Sequence, residues 1–279
     1  MDGTIPKHID WRRWIKRWDR MQDLYIPARK ERFEIIVQLI ADSQRKVSRV
    51  LDVGCGTGSL MLPVLREFPA AEVWGIDFDI TLLALAKNRL AKFGGPASSL
   101  KGGRVLAPRL EGREACGKGG RVKLTQADLR KKGWTDIVGG PFDAIVSATA
   151  LHWFSPAQLG RLYKQFAGIL KPGGIFLNAD HAGSCCEGIQ KDWQDQRNRH
   201  TQKYKNSSVD DWDGFWRAYG RALKVDIEKF RKELMGSWVG SEYGQPLQWH
   251  FEKLKASGFE AIDCFWRLEY DAIYGGIRK

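Results

Sequence analysis

Cysteine is scarce in this 279-residue chain: five residues, at positions 55, 116, 185, 186 and 264, form no C-x-x-C pair. Neither a zinc site nor a disulfide framework is indicated, no metal is expected, and a reducing compartment fits best. No uninterrupted apolar run approaches the ~18 residues of a membrane span, and the opening MDGTIPKHIDWRRW holds no long apolar segment. The expectation is a cytoplasmic protein with no membrane contact. Acids are outnumbered, 33 against 45 Lys and Arg, for a formal net charge of +12. That excess suits an anionic partner such as RNA, an acidic metabolite or a membrane surface, and suits equally a solvated basic exterior.

A glycine-rich stretch carries the first functional signal. VLDVGCGTGSL, Val50 to Leu60, joins a β-branched apolar run to helix-like spacing at Leu60, Val64 and Phe68, so its glycines sit in a strand-to-helix turn. Glycine there allows positive φ and close approach of a ligand to the main chain, beside the unpaired N–H groups that open a helix. Gly54-x-Gly56-x-Gly58 lacks the last interval of G-x-G-x-x-G, and no Gly-Lys-Ser/Thr follows, so phosphate is not the default ligand. Asp52 just below the turn would repel a pyrophosphate but could accept from an ammonium. A glycine turn with no ligand is the plain alternative.

Strands and helical stretches alternate along the chain, the pattern of a mostly parallel sheet covered on both faces. The candidate strands are RVLDVG, EVWGID ending at Asp77, VKLTQAD ending at Asp128, FDAIVSAT from Phe142 and GIFLNAD ending at Asp180. Ligands collect at the carboxyl ends of such strands, which places Asp77 and Asp128 near the mouth of the glycine turn. Asp77 stands where nucleotide-binding α/β folds place the acid that accepts ribose hydroxyls, with helix N-capping as the alternative for both acids.

In order and role, VLDVGCGTG, VWGIDFD, LTQADL, PFDAIVSATALHWF and LKPGGIFLNAD resemble the motifs of class I S-adenosylmethionine-dependent methyltransferases, over about residues 47 to 183. The C-terminal SGFEAIDCFWRLEYDAIYGGIRK is similar to that family's closing antiparallel hairpin. The resemblance implies an α/β, Rossmann-like, doubly wound seven-stranded sheet ordered 3-2-1-4-5-7-6 with the last strand antiparallel, and S-adenosylmethionine across the first strands' carboxyl ends. It implies clearance for the methionine and ribose moieties at Gly54, Gly56 and Gly58, and support of the amino group by Asp52. Asp77 would take the ribose hydroxyls, Phe78 an adenine face, Asp128 and the Leu129 backbone the adenine edge, and Ala148 the methionine portion. Arg29 could pair with the cofactor's carboxylate.

Two departures bear on substrate. The span from Asp77 to Asp128 is about twice what the family needs, and its surplus, Gly94 to Gly120, is a basic low-complexity stretch expected to be flexible. It reads as a solvated surface loop or a basic arm for a polyanion, the latter weakened by the absence of aromatics for base stacking. Trp11, Trp14, Ile15, Trp18 and Tyr25 form one stripe of an N-terminal helix. Packing on the core comes first among its readings, a lid over the site second, and peripheral membrane binding a distant third. The expected organisation is a helical lid at 1–40, the cofactor-binding core at 41–183, a helical substrate cap at 184–245 with Trp193, Trp212, Phe215, Trp216, Tyr219 and Trp238, and a final helix and hairpin at 246–279 that complete the core.

Chemistry narrows to the rim. An acceptor of high pKa needs a general base, and His152, in ALHWF after the fourth strand, is the best-placed titratable residue for that role, with His181 as runner-up. Trp153, Tyr25, Trp212 and Trp216 are expected to wall the acceptor. A similar HW occurs in methyltransferases acting on carboxylates, such as those resembling trans-aconitate and juvenile hormone acid methyltransferases. With a carboxylate acceptor no base is required, and His152 would orient it; a packed rim histidine is the plain alternative. A small-molecule methyltransferase is the favoured reading. An RNA or protein methyltransferase and a non-catalytic cofactor-binding protein stand behind it.

Overall fold

The computed structural model describes residues 9–94, 120–203, 208–236 and 239–279. The basic stretch Gly94 to Gly120, apart from its two ends, and Trp238 lie outside them.

Seven strands, β1 (Arg49–Val53), β2 (Glu72–Asp77), β3 (Val122–Gln126), β4 (Phe142–Ala148), β5 (Leu170–His181), β6 (Phe259–Leu268) and β7 (Asp271–Arg278), form one sheet in the order β3-β2-β1-β4-β5-β7-β6. The first five run parallel, and β7 is antiparallel to both β5 and β6. This is the order and the antiparallel closure expected from the sequence. Strands β1 and β4 are buried almost throughout, as parallel strands covered on both faces must be, which is why they read as mostly apolar runs, interrupted within by Asp52, Asp143 and Ser147. One detail differs: β5 starts at Leu170, not in the glycines of LKPGG, because Phe142 pairs with Leu170 while Ala144 already pairs with Ile175. The residues between loop out of the ladder, with Gly173 at φ 76°.

Ten helices accompany the sheet among the described residues: α1 (Trp11–Tyr25), α2 (Arg29–Ser43), α3 (Met61–Glu67), α4 (Ile80–Arg89), α5 (Trp134–Val138), α6 (Pro156–Ile169), α7 (Glu187–Lys203), α8 (Trp212–Leu223), α9 (Ile227–Met235) and α10 (Leu247–Ala256). Local chemistry sets their ends. Ser155 and Gln158 form a reciprocal capping box with Pro156 at the first helical position, so α6 starts directly after the HW segment. Asp79 caps α4 through the N–H groups of Thr81 and Leu82.

Helices α2, α3 and α4 cover one sheet face around Ile36, Ile40, Met61 and Leu83, and α5, α6 and α10 cover the other around Trp134, Phe166 and Leu254. A third cluster lies above the carboxyl ends of the strands. There Trp14, Trp18 and Met21 of α1 meet Phe215, Trp216 and Tyr219 of α8, with Trp18 5.3 Å from Phe215 and 5.8 Å from Trp216, both edge to face. The Arg17 guanidinium grips Asp210 through two nitrogens at 2.8 and 2.6 Å and lies over the Trp14 ring. The aromatic stripe of α1 is thus buried against α8 at the mouth of the strands.

Candidate active site

Beneath this aromatic cluster is a cavity of about 520 Å³ at the carboxyl ends of β1, β2 and β4. The glycine turn forms its floor, and its three glycines do three jobs. All have positive φ, 68°, 51° and 71° at Gly54, Gly56 and Gly58. A Cβ on Gly54 would stand 2.5 Å from the Ala150 Cβ, so this glycine lets the β4 loop close on the turn. Gly56 borders the cavity, and a Cβ there would meet no protein atom nearer than Leu82 at 4.0 Å. Gly58 does not line the cavity; it faces α4, where a Cβ would press on Leu90 at 2.9 Å. The expectation that Gly58 clears the cofactor is corrected to helix packing.

Asp52 and Asp77 stand side by side under the turn, both buried. Asp77 accepts the Gly56 N–H at 2.8 Å through one oxygen and the Asp79 N–H at 2.8 Å through the other. Burial, only partly offset by these hydrogen bonds, pushes its pKa up to about 6. Asp52 is more extreme, because burial and then the Asp77 charge hold its pKa well above the ordinary carboxylate value. Its Oδ2 is buried without a hydrogen-bond partner. An orphaned acceptor in that position calls for a donor from outside the protein, preferably a cation.

Phe78, Leu129 and Asp128 line the cavity farther along the β2 and β3 ends. Asp128 is not free: Arg130 takes both its oxygens, at 2.8 and 2.9 Å, and its guanidinium lies 5.8 Å from the Phe78 ring centre. The sequence did not single out Arg130, although its spacing of two from Asp128 permits the clasp. Arg29 also lines it, nearly buried, with its guanidinium over the Phe33 ring and, among the described residues, long ion pairs to Asp19 at 3.5 Å and Asp23 at 3.3 Å. Asp19 accepts its short bonds, 2.8 and 2.9 Å, from Arg89, which also donates to the Thr57 carbonyl at 2.9 Å.

Ala148, His152, Trp153 and His181 bound the far end of the cavity. His152 Nδ1 lies 2.7 Å from Asp180 Oδ1, and the His152 backbone N–H donates to Asp180 Oδ2 at 3.0 Å. Burial lowers the His152 pKa, but the Asp180 charge and hydrogen bond outweigh it and the net shift is upward. Asp180, despite burial, is held well below the usual carboxylate range by His152. His181 stacks on His152, and its Nδ1 lies 2.5 Å from the Glu242 carbonyl oxygen. Burial and then the His152 charge lower its pKa to about 4. Donor atoms of His152, Asp180 and His181 all fall within 4.8 Å of one another. In the structure the trio is joined by hydrogen bonds, Asp180 accepting from the His152 ring and from the backbone N–H groups of His152 and His181.

Tyr25 and Trp212 border the cavity, whereas Trp216, expected at the acceptor wall, does not. It is buried against Trp18 with the Arg231 guanidinium 3.8 Å over its ring, because the helical stripe it belongs to faces α1. Arg231 also reaches Asp79 at 3.2 Å. Sequence reasoning missed Arg231 and Asp180. For Asp180 a signal existed, an acid closing an apolar strand as Asp77 does.

A family model described as a methyltransferase domain matches residues 25–223. The chain belongs to that family. Among curated proteins, the methyltransferase is similar to trans-aconitate 2-methyltransferase of Streptomyces avermitilis, 29% identical over 161 residues, 57% of this chain and 49% of the relative. It is 28% identical to the Deinococcus radiodurans trans-aconitate 2-methyltransferase over 146 residues, 50% of this chain and 42% of the relative. The matched region thus spans about half the length of these relatives or less. Among solved structures, an O-methyltransferase family protein from Burkholderia thailandensis has a TM-score of 0.50 at 15% identity, covering 95% of this chain and 68% of that one. The sugar N-methyltransferase KedS8 of Streptoalloteichus matches equally, TM-score 0.50 at 13% identity, over 88% and 86%. The residues present fit S-adenosylmethionine: the orphaned Asp52 oxygen suits its ammonium, and the open face of Gly56 leaves room for it.

Proposed function

We propose that this methyltransferase transfers the methyl group to a small acceptor bearing a carboxylate, forming an ester. One observation carries the reading. The imidazole of His152 borders the cavity with Nδ1 committed to Asp180, leaving Nε2 as the nitrogen available to an acceptor, and its pKa is raised rather than lowered. A raised pKa favours the imidazolium, a donor, and a carboxylate needs a donor to orient it but no base to activate it. Similarity to two trans-aconitate 2-methyltransferases adds support.

S-adenosylmethionine, when bound, supplies a methyl group on a sulfonium open to in-line attack. In this reading Asp52 accepts from its ammonium, Asp77 from its ribose hydroxyls, and Arg29 pairs with its carboxylate. Phe78 and Leu129 flank the adenine. Asp128 reaches the adenine amino group only if it shares its oxygens with Arg130. His152 and Trp153 orient and wall the acceptor, and α1 with α8 excludes water from above, so positioning and a dry site supply much of the rate.

The test is incubation with methyl-labelled S-adenosylmethionine and a panel of short-chain carboxylic acids, trans-aconitate included. Label should enter a small acid and be released as methanol by mild alkali. Label confined to RNA or protein, or an alkali-stable product, would overturn the reading.

A further inference from the structure

The acceptor end of the cavity holds a cation that the chemistry so far leaves unused. Arg197 projects from α7 into the lining and is 15% exposed. Among the described residues its guanidinium makes one ion pair, to Asp271 Oδ2, and that at 3.4 Å through a single nitrogen. The other Asp271 oxygen is taken at 3.0 Å by Arg32, which is fully buried, so two guanidinium groups share one carboxylate. Arg32 has the better geometry and the deeper site. Arg197 is therefore under-compensated, with most of its five N–H donors unspent.

Its place relative to the reacting end is fixed by contacts. His181, stacked 4.7 Å from His152, approaches Asp271 Oδ1 at 3.7 Å, and Arg197 sits on the other oxygen of that same carboxylate. The Tyr270 ring, 5.3 Å from the guanidinium carbon and itself in the lining, supports the Arg197 fork from one side. Glu242 lies in the same wall and is exposed; it forms no ion pair with Arg197 within 4.0 Å. A carboxylate presented to His152 thus has a planar, underused guanidinium one residue-layer away along the same wall.

We infer that Arg197 reads a second oxyanion on the acceptor, a carboxylate or a phosphate at the end opposite the methylated group, and thereby selects dianionic acceptors over monoanionic ones. Resting on the reading of this cavity as the acceptor chamber, it makes Arg197 a specificity residue. A planar fork pairs bidentately with such a group, and a charge-assisted pair in a partly buried wall discriminates strongly against an analogue that lacks it.

Calorimetry on protein saturated with S-adenosylhomocysteine tests it with three acids of similar length: valerate, glutarate and 4-phosphonobutyrate. The wild type should bind glutarate or 4-phosphonobutyrate at least tenfold more tightly than valerate, and whichever of the two is preferred identifies the oxyanion. Arg197→Gln should bring the preferred acid down to the valerate level while leaving valerate and S-adenosylhomocysteine affinities unchanged, which also shows that the variant is folded. Arg197→Lys, keeping charge without the fork, should recover part of the preference. Equal binding of all three acids by the wild type, or a preference surviving in Arg197→Gln, overturns the inference. Tight binding of a diacid that is never methylated would leave the Arg197 subsite standing and defeat the ester-forming reading alone.

Discussion

The imidazoles of His152 and His181 lie stacked, 4.7 Å between ring centres and 22° between planes, and Asp180 meets them unequally: it bonds the His152 ring at Nδ1 but only the backbone N–H of His181. Two rings that close repel each other when both are charged, and the asymmetry is built in: His152 is raised by Asp180, and His181 falls to about 4. His152 is the proton holder. If it orients a carboxylate as imidazolium, turnover should fall as pH rises through its raised pKa; a general base would give the opposite slope. His152→Gln, still a hydrogen-bond donor, should keep turnover within about tenfold, flatten that limb and raise the acceptor KM, whereas a lost base would depress kcat by ~10²–10⁴. Initial rates from pH 5 to 9 with both proteins decide between them.

Asp180→Asn removes the charge that raises the His152 pKa. The high-pH limb of the rate profile should move to lower pH, because burial alone lowers an imidazole. Stability should respond as well. The folded-state pKa of Asp180 lies below its unfolded value, so the folded chain binds fewer protons across the acid range. Its contribution is present above the ordinary carboxylate pKa and is lost as pH falls through that range. Thermal melts should therefore show Asp180→Asn less stable at pH 7, by about 3–5 kcal/mol for a broken buried pair, and less sensitive than wild type between pH 5 and 3.

Cofactor affinity should depend on pH through Asp77. With its pKa near 6 in the free protein, the carboxylate is ionised at pH 7.5 and largely protonated at pH 5. Only the ionised form can accept two ribose hydroxyls while holding the Gly56 and Asp79 N–H groups. Calorimetry with S-adenosylhomocysteine should show binding weakening as pH drops below about 6, with a further contribution from Asp52, which is raised in the same direction. Asp77→Ala should cost roughly tenfold to a hundredfold in affinity at pH 7.5 and leave only the Asp52 part of the slope.

Arg29 offers a test with an internal control. Its only ion pairs among the described residues are 3.3 and 3.5 Å long, while Asp19 is committed to Arg89. If it is the partner of the cofactor's carboxylate, Arg29→Met should weaken S-adenosylmethionine binding about tenfold and leave decarboxylated S-adenosylmethionine almost unaffected. Equal losses for both ligands would assign Arg29 to packing of α1 on α2.

The sheet was legible because its signals are local and periodic. Val50–Val53 and Phe142–Val146 read as strands of a parallel sheet, and Asp77 and Asp128 at strand ends pointed to the edge that the cavity occupies, whereas Asp180 passed without a role. The glycines read less well, since sequence shows that three are present but not which faces the cavity; only the backbone course reveals that Gly58 serves Leu90 and Gly56 the open space. Charges that act across the fold were illegible. Arg197 meets Asp271 across 74 positions and Arg231 meets Asp79 across 152, and no spacing rule links such pairs. Trp216 was misplaced for a related reason, as helical periodicity gives a face without naming what it faces.

The Arg17–Asp210 clasp joins positions 193 apart. With Trp14 and Trp18 seated on Phe215 and Trp216, it makes the roof of the chamber one piece sewn from two distant lengths of chain. Exchanging α1 alone would strip Trp14 and Trp18 of the rings they pack on and break the Arg17 clasp, whereas α7, which carries Arg197, stands outside that seam and can change without unpicking it.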